Sequence, residues 1–306
     1  LVPDPGYPGY AAAVALAGGR AVPYAAARSA DGFRLDVEAI RAQISPRTRA
    51  IVVNTPSNPT GAVLDEAELS ALAELAVEHD LRVVSDEVYA AIGFGDVAPP
   101  SIAGRPGMPE RTILVNSFSK TYAMTGWRLG YGVVPRDLVR RVVSLVNDCS
   151  TCAPAFVQHA GIAALRGPQV DVERMRAEYR TRRDALGAAL DRLDGVSASR
   201  AAGAFYAFPD VAALLRGGEG DEPWTSARLA RVLLDEYGVA CLPGSAFGRE
   251  SAARLRLSFA APADRIREGV ERLARCVSDR LPPRGQEART TPQATRAPEL
   301  PAGSVL

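Results

Sequence analysis

Lysine is all but missing from this chain. Of 306 residues, 36 are Lys or Arg, and Lys120 is the only lysine. Histidine and cysteine are scarce too, with two and four residues. Cys149-Ser150-Thr151-Cys152 is the one closely spaced pair of thiols, and with so few imidazoles to join it no metal site is expected. A reduced, cytoplasmic chain is the simpler reading of those cysteines. No apolar run approaches the ~20 residues that cross a bilayer, so no membrane span is expected. Charge of one sign is lacking as well: 36 basic residues face 35 acidic ones for a net charge of +1, which predicts neither a nucleic-acid partner nor attachment to an anionic membrane. What remains is 47% hydrophobic and long enough for a substantial core in one or two domains.

A single lysine among arginines asks why an amine was kept. Arginine cannot shed its proton at useful pH, whereas a lysine amine can, and once neutral it attacks carbonyls. Lys120 therefore reads as a Schiff-base lysine, the plain alternative being one cation left on a solvated face. Its neighbourhood favours the first reading. The apolar, β-prone run over 112–118 ends in Ser117-Phe118-Ser119-Lys120, so the amine sits just past a strand, where open α/β sheets place their ligands.

The rest of the chain supplies such a sheet. Leu1 to Tyr7 reads as the end of a strand running into a turn, as if the sequence were cut at its N-terminus. Helices are predicted over 10–17 (closed by Gly18-Gly19), 36–44, 65–79, 136–146, 155–165 and 170–193, and strands over 20–24, 49–54, 81–85 and 129–134. Their alternation is the βαβ signature of a mainly parallel sheet, an α/β fold. Beyond the long helix, strands over 196–199, 204–208, 239–241 and 254–259 and helices over 226–237 and 262–276 make a smaller α+β unit. From about Asp279 the composition turns to Pro, Arg, Thr, Gln and Gly, which reads as a disordered tail. The expected domains are a large one over 1–169, a connecting helix with a small domain over 170–279, and a tail over 280–306.

Three predicted strands end in polar residues. One runs into Asn54-Thr55-Pro56-Ser57-Asn58-Pro59-Thr60-Gly61, one into Asp86-Glu87-Val88-Tyr89, and the third into Lys120. Each alone has a plain explanation, as turn chemistry or a helix cap. Together they aim an amide, an acid, a phenol and an amine at one crevice.

Asn58-Pro59-Thr60-Gly61, Ser85-Asp86-Glu87-Val88-Tyr89, Ser117-Phe118-Ser119-Lys120 and Gly126-Trp127-Arg128-Leu129-Gly130, in this order, resemble the class I/II pyridoxal-phosphate aminotransferases of fold type I. The resemblance runs from Leu1 to about Val277 and takes in Gly203-Ala204-Phe205-Tyr206, Leu242-Pro243-Gly244-Ser245 and Arg254-Leu255-Arg256-Leu257-Ser258. It implies a three-layer α/β/α domain with a smaller C-terminal α+β domain, and pyridoxal 5'-phosphate as cofactor. Lys120 would form the Schiff base with the cofactor. Asp86 would pair with its pyridine nitrogen, and Asn58 and Tyr89 would bond its phenolic oxygen. Tyr7 would stack on the ring, and Ser117 and Arg128 would bind the phosphate. Arg256 would clamp the substrate α-carboxylate, with Asn58 also at the substrate. The reaction implied is amino transfer from an L-amino acid to a 2-oxo acid, with 2-oxoglutarate as the expected acceptor, in a homodimer.

In the family, residues upstream of the position that matches Leu1 supply a small-domain arm and a phosphate-binding glycine loop. This leaves open that the 306 residues alone bind cofactor poorly or are inactive. Two other readings also stay open: a C–S β-lyase or related synthase on the same scaffold, and an aminotransferase-like sensing domain of a transcription regulator.

Overall fold

The computed structural model describes residues 1–29, 32–216 and 224–280. Buried Val and Ile runs build the main sheet, from β4 (Ala50–Asn54), β5 (Arg82–Asp86), β6 (Thr112–Ser117) and β7 (Gly130–Val133) in that order. β4, β5 and β6 are parallel, and β7 returns antiparallel along β6. In the first part of the chain, β1 (Val2–Asp4) pairs parallel with β2 (Pro23–Ser29), which pairs antiparallel with β3 (Gly32–Leu35). β1 also meets β4, since the Leu1 amine donates to the Ala50 carbonyl at 2.7 Å and the Val52 N–H to that of Leu1 at 2.9 Å.

Helices alternate with these strands, and the one between β4 and β5 packs on the sheet. α1 (Gly9–Leu16) follows β1, α2 (Val37–Gln43) precedes β4, and α3 (Glu66–Glu78) links β4 to β5. The start of α3 is written in the sequence as a capping box. Asp65 accepts the Glu68 N–H at 2.9 Å, and Glu68 reaches back to accept the Asp65 N–H at 2.8 Å. From that start, Leu69, Leu72, Leu75 and Ala76 fall on one face and pack with Ile51, Val53, Val83 and Ile102. α4 (Phe118–Thr121) sits at the end of β6, and α5 (Val139–Ser150) and α6 (Ala155–Arg166) follow β7.

α7 (Val170–Leu190) leads into the C-terminal unit, an antiparallel sheet ordered β8 (Tyr206–Ala207), β10 (Leu255–Ser258), β9 (Leu242–Pro243), with α8 (Ser226–Asp235) and α9 (Ala263–Arg280). Its core reaches into the large unit, because Tyr89, Ile92 and Phe94 pack with Phe205, Leu229, Leu255 and Phe259.

Several elements differ from expectation. The strand expected over 196–199 reduces to one bridge between Ser197 and Asp210. That over 239–241 is displaced to β9. Gly238 turns left-handed (φ 65°), and the Val239 N–H donates to Leu233 at 2.7 Å, so this N–H closes α8 and cannot enter a ladder. The strand expected over 20–24 overlaps β2 only at Pro23 and Tyr24; β2 runs on through Ala25-Ala26-Ala27, which carry little β-propensity, and pairs with β3, a strand outside the expectation. α9 continues through Arg280, past the expected onset of the tail, and residues 281–306 of that tail lie outside the described residues.

One junction ties the start of the chain to the C-terminal unit. The buried Asp4 carboxylate accepts the N–H groups of Arg249 (3.0 Å) and Glu250 (3.3 Å), and the Gly6 N–H donates to Phe247 at 2.8 Å. Gly248 has φ 138°, and a Cβ there would fall onto that carboxylate, so both backbone angle and space demand glycine. Asp4→Ala leaves two donors without their charged acceptor. We expect a loss of about 2–3 kcal/mol, or roughly 5–10 °C in Tm by calorimetry. An unchanged Tm would show that solvent satisfies the turn equally well.

Candidate active site

The register of the main sheet sets the site. Asn54 at the end of β4 pairs with Asp86 at the end of β5, and Lys120 lies just past the end of β6. Ser117 caps α4 by accepting the Ser119 N–H at 3.0 Å, and Phe118 and Ser119 turn inward as buried residues. Lys120 is left half-buried at the wall of a cleft of ≈ 280 Å³, lined by Tyr7, Tyr10, Asn58, Asp86, Lys120 and Arg256 together with Asn54, Val88, Tyr89 and Tyr206. Three other cavities hold 50 Å³ or less.

Hydrogen bonds tie these strand ends together. The Asn54 side chain donates to the Asp86 carbonyl at 2.9 Å and accepts the Asn58 N–H at 2.8 Å. Asn58 Oδ1 in turn accepts from Arg256 Nη1 at 3.0 Å, which joins the C-terminal unit to the β4 loop. The Asp86 carboxylate is held at both oxygens: Oδ2 accepts the Tyr10 hydroxyl at 2.6 Å, and Oδ1 the Val88 N–H at 3.2 Å. Tyr7 sets its ring edge-on to that of Tyr10, with centroids 5.5 Å apart. Tyr89 shares a hydrogen bond of 2.8 Å with Tyr206.

The electrostatics ease loss of the Lys120 proton. Partial burial, then the nearby Arg256 and Arg128 guanidinium groups, push the Lys120 pKa below its ordinary value. Among the described residues no carboxylate pairs with Lys120, and its Nζ lies 5.6 Å from the centre of the Phe205 ring. Burial of the hydroxyl, then the Asp86 charge, drive the Tyr10 pKa far upward, so that proton stays on the phenol.

Of the residues singled out in the sequence, Tyr7, Asn58, Asp86, Tyr89, Lys120 and Arg256 meet in this cleft. Ser117 and Arg128 do not line it. The Ser117 hydroxyl lies 2.9 Å from Ser119 Oγ and 3.1 Å from the Leu129 carbonyl, and Arg128 donates to Thr125 at 2.9 Å.

Residues 1–273 match the family model for aminotransferase class I and II. The chain belongs to that family. It is 38% identical to aromatic-amino-acid aminotransferase 2 of Thermococcus litoralis and 39% identical to an aspartate aminotransferase of Pyrococcus abyssi, each over 92% of this chain and 70% of the relative. The crystal structure of an aromatic aminotransferase from Pyrococcus horikoshii superposes with a TM-score of 0.85 at 39% identity, covering 91% of this chain and 73% of that one.

Four residues lining the cleft of this aminotransferase had no site role in the sequence reading: Tyr10, Asn54, Val88 and Tyr206. Asn54 was within reach, as the last residue of a strand whose neighbour ends in Asp86. Tyr10 reads as a helical residue and Tyr206 as a strand residue in a small unit. Nothing local marks their partners, which lie 76 and 117 residues away.

Proposed function

We propose that the protein moves an amino group from an L-amino acid to a 2-oxo acid, with pyridoxal 5'-phosphate as cofactor and 2-oxoglutarate as acceptor. The observation that carries this reading is one cleft holding a lysine amine biased towards neutrality, a carboxylate fixed at both oxygens, and an arginine not fully paired by the protein. The donor set suits the cofactor. When bound, pyridoxal phosphate supplies an aldehyde that an amine can capture and a ring that draws electrons from the substrate Cα.

The chain's residues divide the remaining work. Lys120 would hold the cofactor through its amine and would serve as the base that takes the substrate Cα proton and the acid that returns it. Asp86, oriented by Tyr10, would hold a proton at the cofactor's ring nitrogen. Asn58 and Tyr89 would bond its phenolic oxygen and Tyr7 would stack on the ring, while Ser117 and Arg128, outside the cleft lining but next to Lys120, would hold the phosphate. Arg256 takes the substrate carboxylate. Its Nε is buried and has no hydrogen-bond partner among the described residues, and an unpaired buried donor of this kind costs about 1–3 kcal/mol until a ligand satisfies it.

We also propose a homodimer in a reducing cytoplasm. Tyr131 and Val133 on β7, Val143 and Leu145 on α5 and Phe156 on α6 form an exposed apolar set that a second copy would cover, Phe156 being 70% exposed. The thiols are free, and among the described residues no helix is long and apolar enough to cross a membrane.

The test is an absorbance spectrum of the purified chain, made with any coding sequence found upstream of Leu1, after addition of pyridoxal phosphate. A visible band that borohydride traps on Lys120, and that an L-amino acid converts to the spectrum of the aminated cofactor with release of its 2-oxo acid, is the expected result. Absence of a band, or release of a thiol and pyruvate from a sulfur amino acid in place of that conversion, would overturn the reading.

A further inference from the structure

The shared hydrogen bond between Tyr89 and Tyr206 leaves a proton unassigned. Both phenols are buried, and among the described residues each hydroxyl has only the other as partner, at 2.8 Å. Two protons serve one bond. One is therefore spent within the pair, and the other is free to point into the cleft that both residues line.

The surroundings decide which one. The Arg256 guanidinium lies over the Tyr206 ring, 4.4 Å from its centroid, and draws electron density from that phenol. On distance alone either hydroxyl could be the donor; the cation over the Tyr206 ring is the ground for assigning the donor role to Tyr206, which leaves the Tyr89 proton for the cleft. The same ring is also a floor for Arg256, whose guanidinium lies 5.0 Å from the Phe247 centroid and bonds Asn58 at 3.0 Å. Phe205, with its centroid 4.7 Å away, holds the Tyr206 ring in place.

We propose that Tyr206 is a positioning residue with two separable effects: its hydroxyl directs the Tyr89 proton into the cleft, and its ring fixes the plane of Arg256 for a substrate carboxylate. The proposal rests on the function proposed above. A phenol that accepts a hydrogen bond is a stronger donor in turn, so the Tyr206 hydroxyl strengthens the bond from Tyr89 to the cofactor's phenolic oxygen. That bond favours the deprotonated form of the bound cofactor and keeps the pH midpoint of its absorbance low.

Two variants, Tyr206→Phe and Tyr206→Leu, separate the effects through two readouts that need no turnover: this midpoint, and the dissociation constant of an unreactive dicarboxylate, succinate, by calorimetry. Tyr206→Phe keeps the ring. It should raise the midpoint by about half a unit and leave succinate affinity within about twofold. Tyr206→Leu should raise the midpoint similarly and weaken succinate about tenfold. In a Tyr89→Phe background, Tyr206→Phe should move the midpoint no further, because its effect passes through Tyr89.

An unchanged midpoint in Tyr206→Phe, or a further shift without Tyr89, overturns the hydroxyl's role. Equal loss of succinate binding in both variants overturns the ring's. A parent chain with no cofactor band overturns the proposed function itself, and this proposal with it.

Discussion

Lys120→Ala should slow amino transfer by at least about 10⁴-fold and leave no cofactor that borohydride can fix to the chain. The composition makes this test unusually clean. Lys120 is the only lysine among these 306 residues, so within them no other side-chain amine can capture the cofactor. Lys120→Arg should be as inactive as the alanine variant, since it keeps the charge but cannot release a proton to become a nucleophile. A Lys120→Ala chain that retained both the band and turnover would remove Lys120 from the reaction.

The surroundings of the amine add a pH dependence with a definite sign. Burial, Arg256 and Arg128 all disfavour the ammonium form, so the neutral, reactive fraction appears at lower pH than for a free lysine. Cofactor capture should speed up as pH rises through that lowered pKa. Removing one of the cations, in Arg128→Leu, should move the midpoint of the rate profile upward, towards the ordinary lysine value. A midpoint that fell in this variant would assign the shift to some other group.

Sequence and structure agree where the signal is local. Asn54, Asp86 and Lys120 stand at or just past the ends of short apolar runs, and parallel strands bring such ends together whatever lies between. The capping box of α3 and the apolar face that follows it are legible for the same reason. What could not be read depends on chain segments distant in sequence. The alanines of β2 pass for helix or loop until β1 and β3 flank them. Val239 looks like a strand residue, but the helix end before it takes its N–H. Tyr10 and Tyr206 acquire their partners only when the N-terminal segment and the C-terminal unit close over the sheet. The motifs thus name the reactive groups, while the residues that orient them emerge from the fold.

Asp86 is where that division has its largest consequence after Lys120. A carboxylate in a cleft rotates unless it is held, and here Tyr10 and the Val88 amide hold one oxygen each. Asp86→Asn keeps the shape but loses the charge that, in the proposed function, would hold a proton at the cofactor's ring nitrogen. Its amide can also turn an NH₂ towards the Tyr10 hydroxyl. We expect kcat to fall by about 10³-fold, as when one preorganised electrostatic partner is removed from an active site, with cofactor affinity reduced as well. Tyr10→Phe leaves the charge and removes only one of its two restraints, so about a tenfold loss should follow. The order of these effects is decisive. If Tyr10→Phe cost as much as Asp86→Asn, the tyrosine would be acting directly and not through the carboxylate. If Asp86→Asn stayed within about twofold of the parent, no charge would be needed at that ring position and the proposed chemistry would fail.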